Sequence, residues 1–287
     1  MLYKHFLLTR FNVPIDAMMT RQLDKIDVSK DEGYLNARFA IFEKITVPSV
    51  AHQTDQNFVW VVLLSEQTPE TYRERMNRVR ELCPACRPVY VKSSVTSDDV
   101  IQNIIHESTM DLCVTTRMDN DDALALNYMA SVHDFIDMHP NDESYALIYE
   151  NGIQYDMHRG GATTWYHFET NHFSTFVEKA DKPVHTAIGI NHMEIKEHMK
   201  VFLIDNTDPM WLEVIHDTNV TNRMHFKYDD ILFGADLNIL YAADVPKISQ
   251  NRVKWWIRSL LNGPYNALRL FHQYGPKKIA LKIISRF

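Results

Sequence analysis

The chain has 287 residues, of which 45% are hydrophobic and 23% are charged, and its formal net charge is −7. With only 8 glycines and 11 prolines, this composition excludes a disordered or low-complexity protein and is that of a folded globular chain. The sequence has no run approaching the roughly 18 apolar residues of a membrane-spanning helix.

Strand-like and helix-like segments alternate through the first half of the chain. Residues 58–64 form a nearly continuous β-branched and aromatic run, as expected for a strand that is covered on both faces. This alternation predicts βαβ units around a mostly parallel sheet, whose ligands collect at the carboxyl ends of the strands. The predicted strands are residues 6–11, 58–64, 88–92 and 112–117, and the predicted helices are residues 38–50, 69–82, 97–107 and 123–138.

The pattern changes after Pro140. We predict longer strands of a mixed sheet at residues 144–155 and 161–168, and a helix at residues 173–179. The fold class is therefore α/β, with a mixed central sheet in a single domain. The predicted organisation is residues 1–140 and 141–244 as two halves of this domain, followed by a helical tail at residues 245–287.

Three cysteines, Cys83, Cys86 and Cys113, are too few for a disulfide framework. Cys83 and Cys86 match a C-x-x-C pattern, but no second pair accompanies them. We interpret them as part of a turn between a helix and a strand rather than as a redox or zinc site. Because residues 1–10 also lack the apolar run of a signal peptide, we expect a reduced, cytoplasmic chain.

Three carboxylates, Asp119, Asp121 and Asp122, lie within four positions at the predicted end of a buried strand. Charges packed this closely repel one another unless a cation or hydrogen-bond donors neutralise them. Carboxylate oxygens suit Mn²⁺ or Mg²⁺, which also bind diphosphate oxygens. Capping of the next helix would explain one carboxylate but not three, and an EF-hand loop would need glycine where Leu124 stands. The segment therefore predicts a metal–diphosphate site.

Residues 117–123, R-M-D-N-D-D-A, resemble the R-x-D-N-D-D-A motif of the rhamnosyl transferase family, and the resemblance runs from residue 1 to about residue 240. Because this family resembles the A-type glycosyltransferases, the resemblance implies an A-type (GT-A) nucleotide-sugar fold. It also implies a nucleoside-diphosphate sugar donor and a Mn²⁺ or Mg²⁺ ion, and we expect the sugar to be transferred to a glycan or lipid-linked acceptor. Further matching segments are residues 8–12, 38–39, 42–43, 48–49, 53–54 and 57–60.

The resemblance also implies roles for single residues near the nucleotide. It places Thr9, Arg10 and Phe11 at the end of the first strand, where this fold binds the base and ribose. Arg117 and, as a weaker candidate, Arg38 would meet a phosphate, because a guanidinium binds phosphate or carboxylate through paired N–H groups. A plain surface charge at Arg10 and a structural pairing of Arg117 with an aspartate are the alternatives.

The resemblance to the family also implies further residues of the donor and metal site. Asp119 and Asn120 of the motif would contact the donor, in addition to the metal-binding role of the aspartates. The segment around His216 resembles the one in which these enzymes supply a late histidine to the metal, and imidazole is a reasonable Mn²⁺ ligand.

An inverting enzyme of this type needs a carboxylate that accepts the proton of the acceptor hydroxyl. Glu178 follows the central strands, where that base is usually found, and is our candidate. Asp156 and Glu169 compete with it for the role.

The last 43 residues differ in charge from the rest of the chain. From Val245 to Phe287 there are nine Lys and Arg residues and no Asp or Glu, which leaves 21 basic and 37 acidic residues elsewhere, a net charge of −16. Trp255 and Trp256 stand between basic residues of this tail. The pattern favours an anionic membrane as partner, at the inner face of the plasma membrane, over packing on the acidic body or binding of nucleic acid.

Two other functions compete with a metal-dependent glycosyltransferase. A nucleotidyltransferase or phosphohydrolase would use the same metal and nucleotide, but it usually has a glycine-rich phosphate loop, and residues 9–14 contain no glycine. A non-catalytic membrane-associated module would have no reason to keep three mutually repelling aspartates. The glycosyltransferase is therefore the leading hypothesis.

Overall fold

The computed structural model describes most of the chain up to residue 245 and five positions of the tail. The described residues are 2–14, 27–106, 110–140, 144–157, 162–180, 183–216, 232, 236–245, 253, 256, 257, 260 and 261. Most of the predicted tail at 245–287 lies outside them. No helix among the described residues has the length and apolar character needed to cross a bilayer.

Strands and helices alternate in the first half of the chain, as predicted. The strands are β1 (Tyr3–Arg10), β2 (Val59–Ser65), β3 (Cys86–Val91), β4 (Leu112–Arg117), β5 (Ala123–Leu124), β6 (Tyr145–Tyr149), β7 (Asn151–Asp156), β8 (Ala162–His167), β9 (Thr175–Lys179), β10 (Lys200–Ile204) and β11 (Trp211–Ile215). The helices are α1 (Glu32–Ile41), α2 (Val47–Ala51), α3 (Glu70–Leu82), α4 (Ser94–His106), α5 (Tyr128–Met138), α6 (Ile195–His198) and α7 (Leu237–Tyr241).

The strands form two sheets. The main sheet has seven strands in the order β10-β6-β9-β4-β1-β2-β3, in which β9 runs antiparallel to both of its neighbours and the other pairs are parallel. The small sheet has the order β5-β11-β7-β8. The predicted α/β fold with a mixed central sheet is confirmed. Both sheets combine strands from residues 1–140 and 141–244, whereas the domain boundaries themselves stay a prediction.

Two predicted helices are wrong in whole or in part. The helix expected at 123–138 begins only at Tyr128, because Ala123 and Leu124 pair with β11 as strand β5. The segment 173–179 is strand β9 instead of a helix. Its sequence T-F-V-E-K is rich in β-branched and aromatic residues, and pairing with strands on both sides decides its conformation.

Helices α1 and α2 are joined by a π-helical turn, Phe42–Thr46. Pro48 has no N–H to bond the carbonyl of Lys44 four residues earlier, and this carbonyl accepts from Asp244 N at 2.7 Å instead. Thr46 Oγ1 donates to the backbone oxygen of Asn120 at 3.2 Å. The π-helical turn therefore binds two distant parts of the chain: Asn120 in residues 119–122, which we call the acidic segment, and Asp244.

A buried polar chain begins on helix α5 and enters the main sheet. Asp55 Oδ2 lies 2.7 Å from His133 Nδ1, and His133 Nε2 lies 3.0 Å from His5 Nδ1. The other ring nitrogen of His5 lies 2.7 Å from Thr116 Oγ1. His5 is fully buried, and burial together with the nearby His133 lowers its pKa from 6.5 to about 3, against the attraction of Asp55.

The polar chain continues between the two central strands. Thr116 Oγ1 of β4 lies 2.6 Å from Thr175 Oγ1 of β9, which lies 3.3 Å from the hydroxyl of Tyr128. That hydroxyl donates to the backbone oxygen of Phe173 at 2.8 Å. The carboxyl end of β4 and the amino end of β9 are thus held side by side by buried hydrogen bonds.

We expect His5 to lower the free energy of unfolding as the pH falls below about 6.5. In the unfolded chain His5 takes up a proton below about pH 6.5, whereas in the folded chain it stays neutral until about pH 3. Its contribution is complete above pH 6.5 and is lost on acidification through this window, at up to about 1.4 kcal/mol per pH unit. Urea unfolding at several pH values should show a shallower loss for His5→Gln. The exposed control His106→Gln should keep the slope of the parent protein, and equal slopes for all three would contradict the prediction.

Candidate active site

The acidic segment follows strand β4 at the centre of the main sheet, as predicted. Arg117 N donates to Ser174 O at 3.0 Å, and Met118 N donates to Leu8 O at 3.1 Å. The segment therefore leaves the sheet between β9 on one side and β1 on the other. The carboxyl ends of the parallel strands meet at this edge, where ligands of such sheets bind.

Asp121 belongs to a buried ion-paired cluster. Its Oδ2 accepts from Arg38 Nη1 at 2.6 Å and lies 2.7 Å from His216 Nε2. Although burial alone would raise it, Arg38 and His216 hold the pKa of Asp121 well below its usual range. Asn120 joins this cluster, since its Oδ1 accepts from Arg38 at 3.1 Å while its Nδ2 donates to the backbone oxygens of Arg10 and Phe11.

The Asp121 cluster changes four expectations. Arg38 and Asn120, predicted to contact the donor, are buried and bonded within the protein. Asp121 and His216, predicted as metal ligands, contact each other and Arg38. These four residues therefore lock the acidic segment onto helix α1 and the end of β11.

A second group contains Asp119, Asp122 and His172, which we call the DDH group. Asp122 is fully buried, and its Oδ2 lies 2.8 Å from His172 Nε2, which in turn lies 4.0 Å from Asp119 Oδ2. The other oxygen of Asp122 accepts from Val214 N at 2.9 Å. One ligand atom from each of the three side chains lies within 4.8 Å of the others, and the Asp119 side chain is 39% exposed.

The DDH group fits a hard divalent cation. Two carboxylates and one imidazole match the ligand preferences of Mn²⁺, and the carboxylates suit Mg²⁺. Burial and the neighbouring Asp121 raise the pKa of Asp122 to about 7, whereas bonding to Asp122 and the charge of Asp119 outweigh burial and raise the pKa of His172 to about 9. The Asp122–His172 pair therefore shares a proton that a bound cation would displace.

His172 was not predicted as a site residue. It precedes β9, whose antiparallel pairing with β4 brings residues before Thr175 beside residues after Thr116. A strand predicted at residues 175–179 would have placed His172 at the sheet edge near the aspartates. The helix that we predicted at 173–179 instead gave no reason to place His172 there.

Two arginines lie within electrostatic range of Asp119 in the DDH group. Arg117 pairs with Asp119 at 3.2 Å, as the structural alternative for this arginine proposed. Arg10 Nη2 donates to Ile188 O at 2.8 Å, and its Nε has no hydrogen-bond partner among the described residues. Burial lowers the pKa of Arg10, and the charge of Arg117 lowers it further, so two guanidinium groups crowd together here. Such an arrangement attracts an anion.

Thr9 and Phe11 do not reach this surface. Thr9 is fully buried, and its hydroxyl accepts from Trp60 Nε1 at 3.0 Å. Phe11 packs in the core, with ring centroids 4.5 Å from Phe39 and 5.0 Å from Phe42. Of the three residues predicted to bind the nucleotide, Arg10 is the one within electrostatic range of Asp119.

Glu178 is not brought to the site. It pairs in register with Cys113, near the amino end of β4, whereas the acidic segment follows the carboxyl end. Its carboxylate accepts from the backbone N–H groups of His185 and Thr186 at 2.9 and 3.2 Å and is held there. Glu169, its competitor, is half exposed and pairs with Lys196 at 3.1 Å. Neither residue is a base candidate in this structure.

The small sheet supplies two buried carboxylates. Asp156 ends strand β7 and is aligned with Ile215, the residue before His216. Glu213, which was not predicted, precedes the Val214 N–H that donates to Asp122, and its carboxylate accepts from Gln154 Nε2 at 2.5 Å. Burial raises the pKa of Glu213, His172 lowers it, and the aspartates at 119 and 121 add to the rise. Glu213 thus lies within electrostatic reach of the DDH group.

A sequence model of the family described as "Putative rhamnosyl transferase" matches residues 4–228 of the chain. Among curated proteins, no sequence matches it. Similar solved structures include S. aureus TarS 1–349 in complex with UDP-GlcNAc, mouse xyloside xylosyltransferase 1 in its apo form, and a cytidylyltransferase from Leptospira borgpetersenii.

These structural similarities are distant. The TarS complex has 11% sequence identity and a TM-score of 0.44, and the alignment covers 79% of this chain and 63% of TarS 1–349. The xylosyltransferase has 9% identity, a TM-score of 0.36 and coverages of 71% and 86%. The cytidylyltransferase has 14% identity, a TM-score of 0.34 and coverages of 72% and 77%. The chain spans less than two thirds of the TarS structures that it matches.

The two groups of aspartates should respond differently to neutralisation. Asp121→Asn leaves the buried Arg38 without its charged partner and should lower the free energy of unfolding by about 3 kcal/mol. Asp119→Asn removes only a half-exposed pairing with Arg117 and should change it by less than about 1 kcal/mol. Chemical denaturation without added metal measures both values. Similar losses for the two variants would show that the division into a structural and an open carboxylate is wrong.

Proposed function

Since the chain belongs to the rhamnosyl transferase family, we propose that it transfers a sugar from a nucleoside-diphosphate sugar to a glycan or lipid-linked acceptor. The observation that carries this proposal is the DDH group, with Arg10 and Arg117 beside it, at the carboxyl edge of the parallel strands. A cation site next to crowded guanidinium groups suits a diphosphate. The family description names rhamnose, which is the first donor sugar to test.

We propose Asp119, Asp122 and His172 as the ligands of a Mn²⁺ or Mg²⁺ ion. When bound, the ion supplies positive charge that stabilises the departing diphosphate. The Asp121 cluster does not bind the ion itself. It holds the backbone of residues 119–122 in place and so positions Asp119 and Asp122. Val214 N, which donates to Asp122, orients one carboxylate oxygen and leaves the other for the ligand role.

Arg10 and Arg117 are the proposed contacts of the diphosphate. A guanidinium binds phosphate oxygens through paired N–H groups, and the partnerless Nε of Arg10 offers such a donor. Arg117 would exchange part of its pairing with Asp119 for the phosphate. Both arginines thus balance negative charge that grows as the bond between sugar and phosphate breaks.

We propose Glu213 as the base of an inverting transfer, with Asp156 as the alternative. The acceptor oxygen forms a bond to the anomeric carbon while the bond from that carbon to the phosphate oxygen breaks. The bonding electrons leave with the diphosphate, and the hydroxyl proton passes to the carboxylate. A buried carboxylate with a raised pKa is suited to this role, and Gln154 fixes its orientation.

Metal dependence is tested by hydrolysis or transfer of candidate donors with Mn²⁺, with and without EDTA. We expect release of nucleoside diphosphate that EDTA abolishes, and a loss of at least about 100-fold in Asp122→Asn and His172→Gln. The acidic control Glu74→Gln, at an exposed position of α3, should stay within about twofold of the parent.

The same assay separates the competing functions. Release of nucleoside monophosphate would favour a nucleotidyltransferase or phosphohydrolase over sugar transfer. Absence of any nucleotide binding in a screen by Mn²⁺-dependent thermal stabilisation would favour a non-catalytic module.

The base assignment makes a separate prediction. Glu213→Gln should lower kcat for transfer by about 10² to 10⁴, whereas the KM for the donor should change little, since the proton moves only in the transition state. Asp156→Asn is the matched comparison. If Asp156→Asn shows the kcat loss and Glu213→Gln does not, Asp156 is the base.

A further inference from the structure

Five large apolar side chains of the tail are exposed to solvent. Val253, Trp256, Ile257, Leu260 and Leu261 are helical, and each is between 47% and 68% exposed. Among the described residues, eleven large hydrophobic side chains are exposed, and these five fall within nine consecutive positions. Single exposed apolar residues are ordinary, whereas a contiguous set of this size marks an interaction surface.

The spacing of these residues places them on one side of a helix. Positions i, i+3, i+4, i+7 and i+8 follow the 3.6-residue period of an α-helix and form one apolar stripe. We call this stripe the tail face. About half or more of each of these five side chains is exposed to solvent and is therefore available to a partner.

The charge of the same segment identifies the chemistry of its partner. In sequence, Lys254 and Arg258 stand between the apolar positions, and residues 245–287 carry nine basic and no acidic side chains. The rest of the chain has a net charge of −16, so an anionic surface would repel the body and attract the tail. Apolar stripes flanked by Lys and Arg, with tryptophan among them, bind the interface of anionic bilayers.

We propose that the tail face docks onto an anionic lipid bilayer, with Trp256 and its apolar neighbours in the headgroup region and Lys254 and Arg258 near the lipid charges. The cytoplasmic leaflet presents such a surface. This inference is independent of the proposed reaction, because it rests on exposure and charge in a segment that lies beyond the residues matched by the family model.

Vesicle sedimentation of the full chain tests the docking. We expect binding to phosphatidylcholine vesicles that contain phosphatidylglycerol to be at least about tenfold tighter than to pure phosphatidylcholine, and to weaken with salt. Trp256→Glu combined with Leu260→Glu should weaken it at least about tenfold. Lys254→Glu combined with Arg258→Glu should do the same while leaving the apolar stripe intact. The matched control is Leu82→Glu, an equally exposed apolar residue of α3, which should bind like the parent.

Three results would overturn the inference. One is equal binding to vesicles with and without phosphatidylglycerol. Another is unchanged binding in both double variants. The third is a dimer in size-exclusion chromatography that the variant with Trp256→Glu and Leu260→Glu converts to a monomer, without vesicle binding by the parent, because the tail face would then join two copies of the chain. Thermal unfolding of each variant verifies that the body remains folded.

Discussion

Electrostatic repulsion among the three carboxylates of residues 119–122 is the constraint on which the rest of the site depends. Each carboxylate has its own neutralising partners, and these come from different parts of the chain: Arg38 on α1 with His216 after β11, His172 before β9, and Arg117 at the end of β4. The acidic segment can therefore fold only when distant elements have assembled around it. The same requirement divides the three carboxylates between the Asp121 cluster, which is bonded within the protein, and the DDH group, whose Asp119 is partly exposed and which is our proposed ligand site.

Much of the fold could be predicted because its signals are local. Runs of β-branched and aromatic residues identify β1, β2, β3 and β4, and the break after Arg117 identifies the sheet edge. The signals fail where pairing decides the conformation. Ala123 and Leu124 are good helix formers, and pairing with the neighbouring β11 overrides this preference and selects the strand. The residues of β9 were misread for the same reason, since a five-residue segment carries too few positions to distinguish the two periods.

In the site, as in the fold, residues with a local sequence signal could be predicted and residues brought in by distant strand pairing could not. The three aspartates could be identified because their spacing alone creates the electrostatic problem. His172 and Glu213 reach the aspartates through strand pairing across about 50 and about 90 residues of sequence, which no local pattern encodes. Of the residues predicted at the end of β1, Thr9 and Arg10 differ because successive side chains of a strand point to opposite faces of the sheet. Thr9 contacts Trp60, whereas Arg10 is within electrostatic range of Asp119.

The bond between Asp244 N and the Lys44 carbonyl fixes the chain at Asp244, shortly before the first residue of the tail face. Lys44 belongs to the same helical turn as Thr46, whose hydroxyl donates to the backbone oxygen of Asn120. The chain at Asp244 is therefore attached close to the acidic segment. Eight residues lie between Asp244 and Val253, and even a fully stretched chain over these nine steps reaches only about 30 Å. With the tail face docked on a bilayer as we propose, this short connection would keep the DDH group near the headgroups and would favour acceptors whose hydroxyl lies close to them.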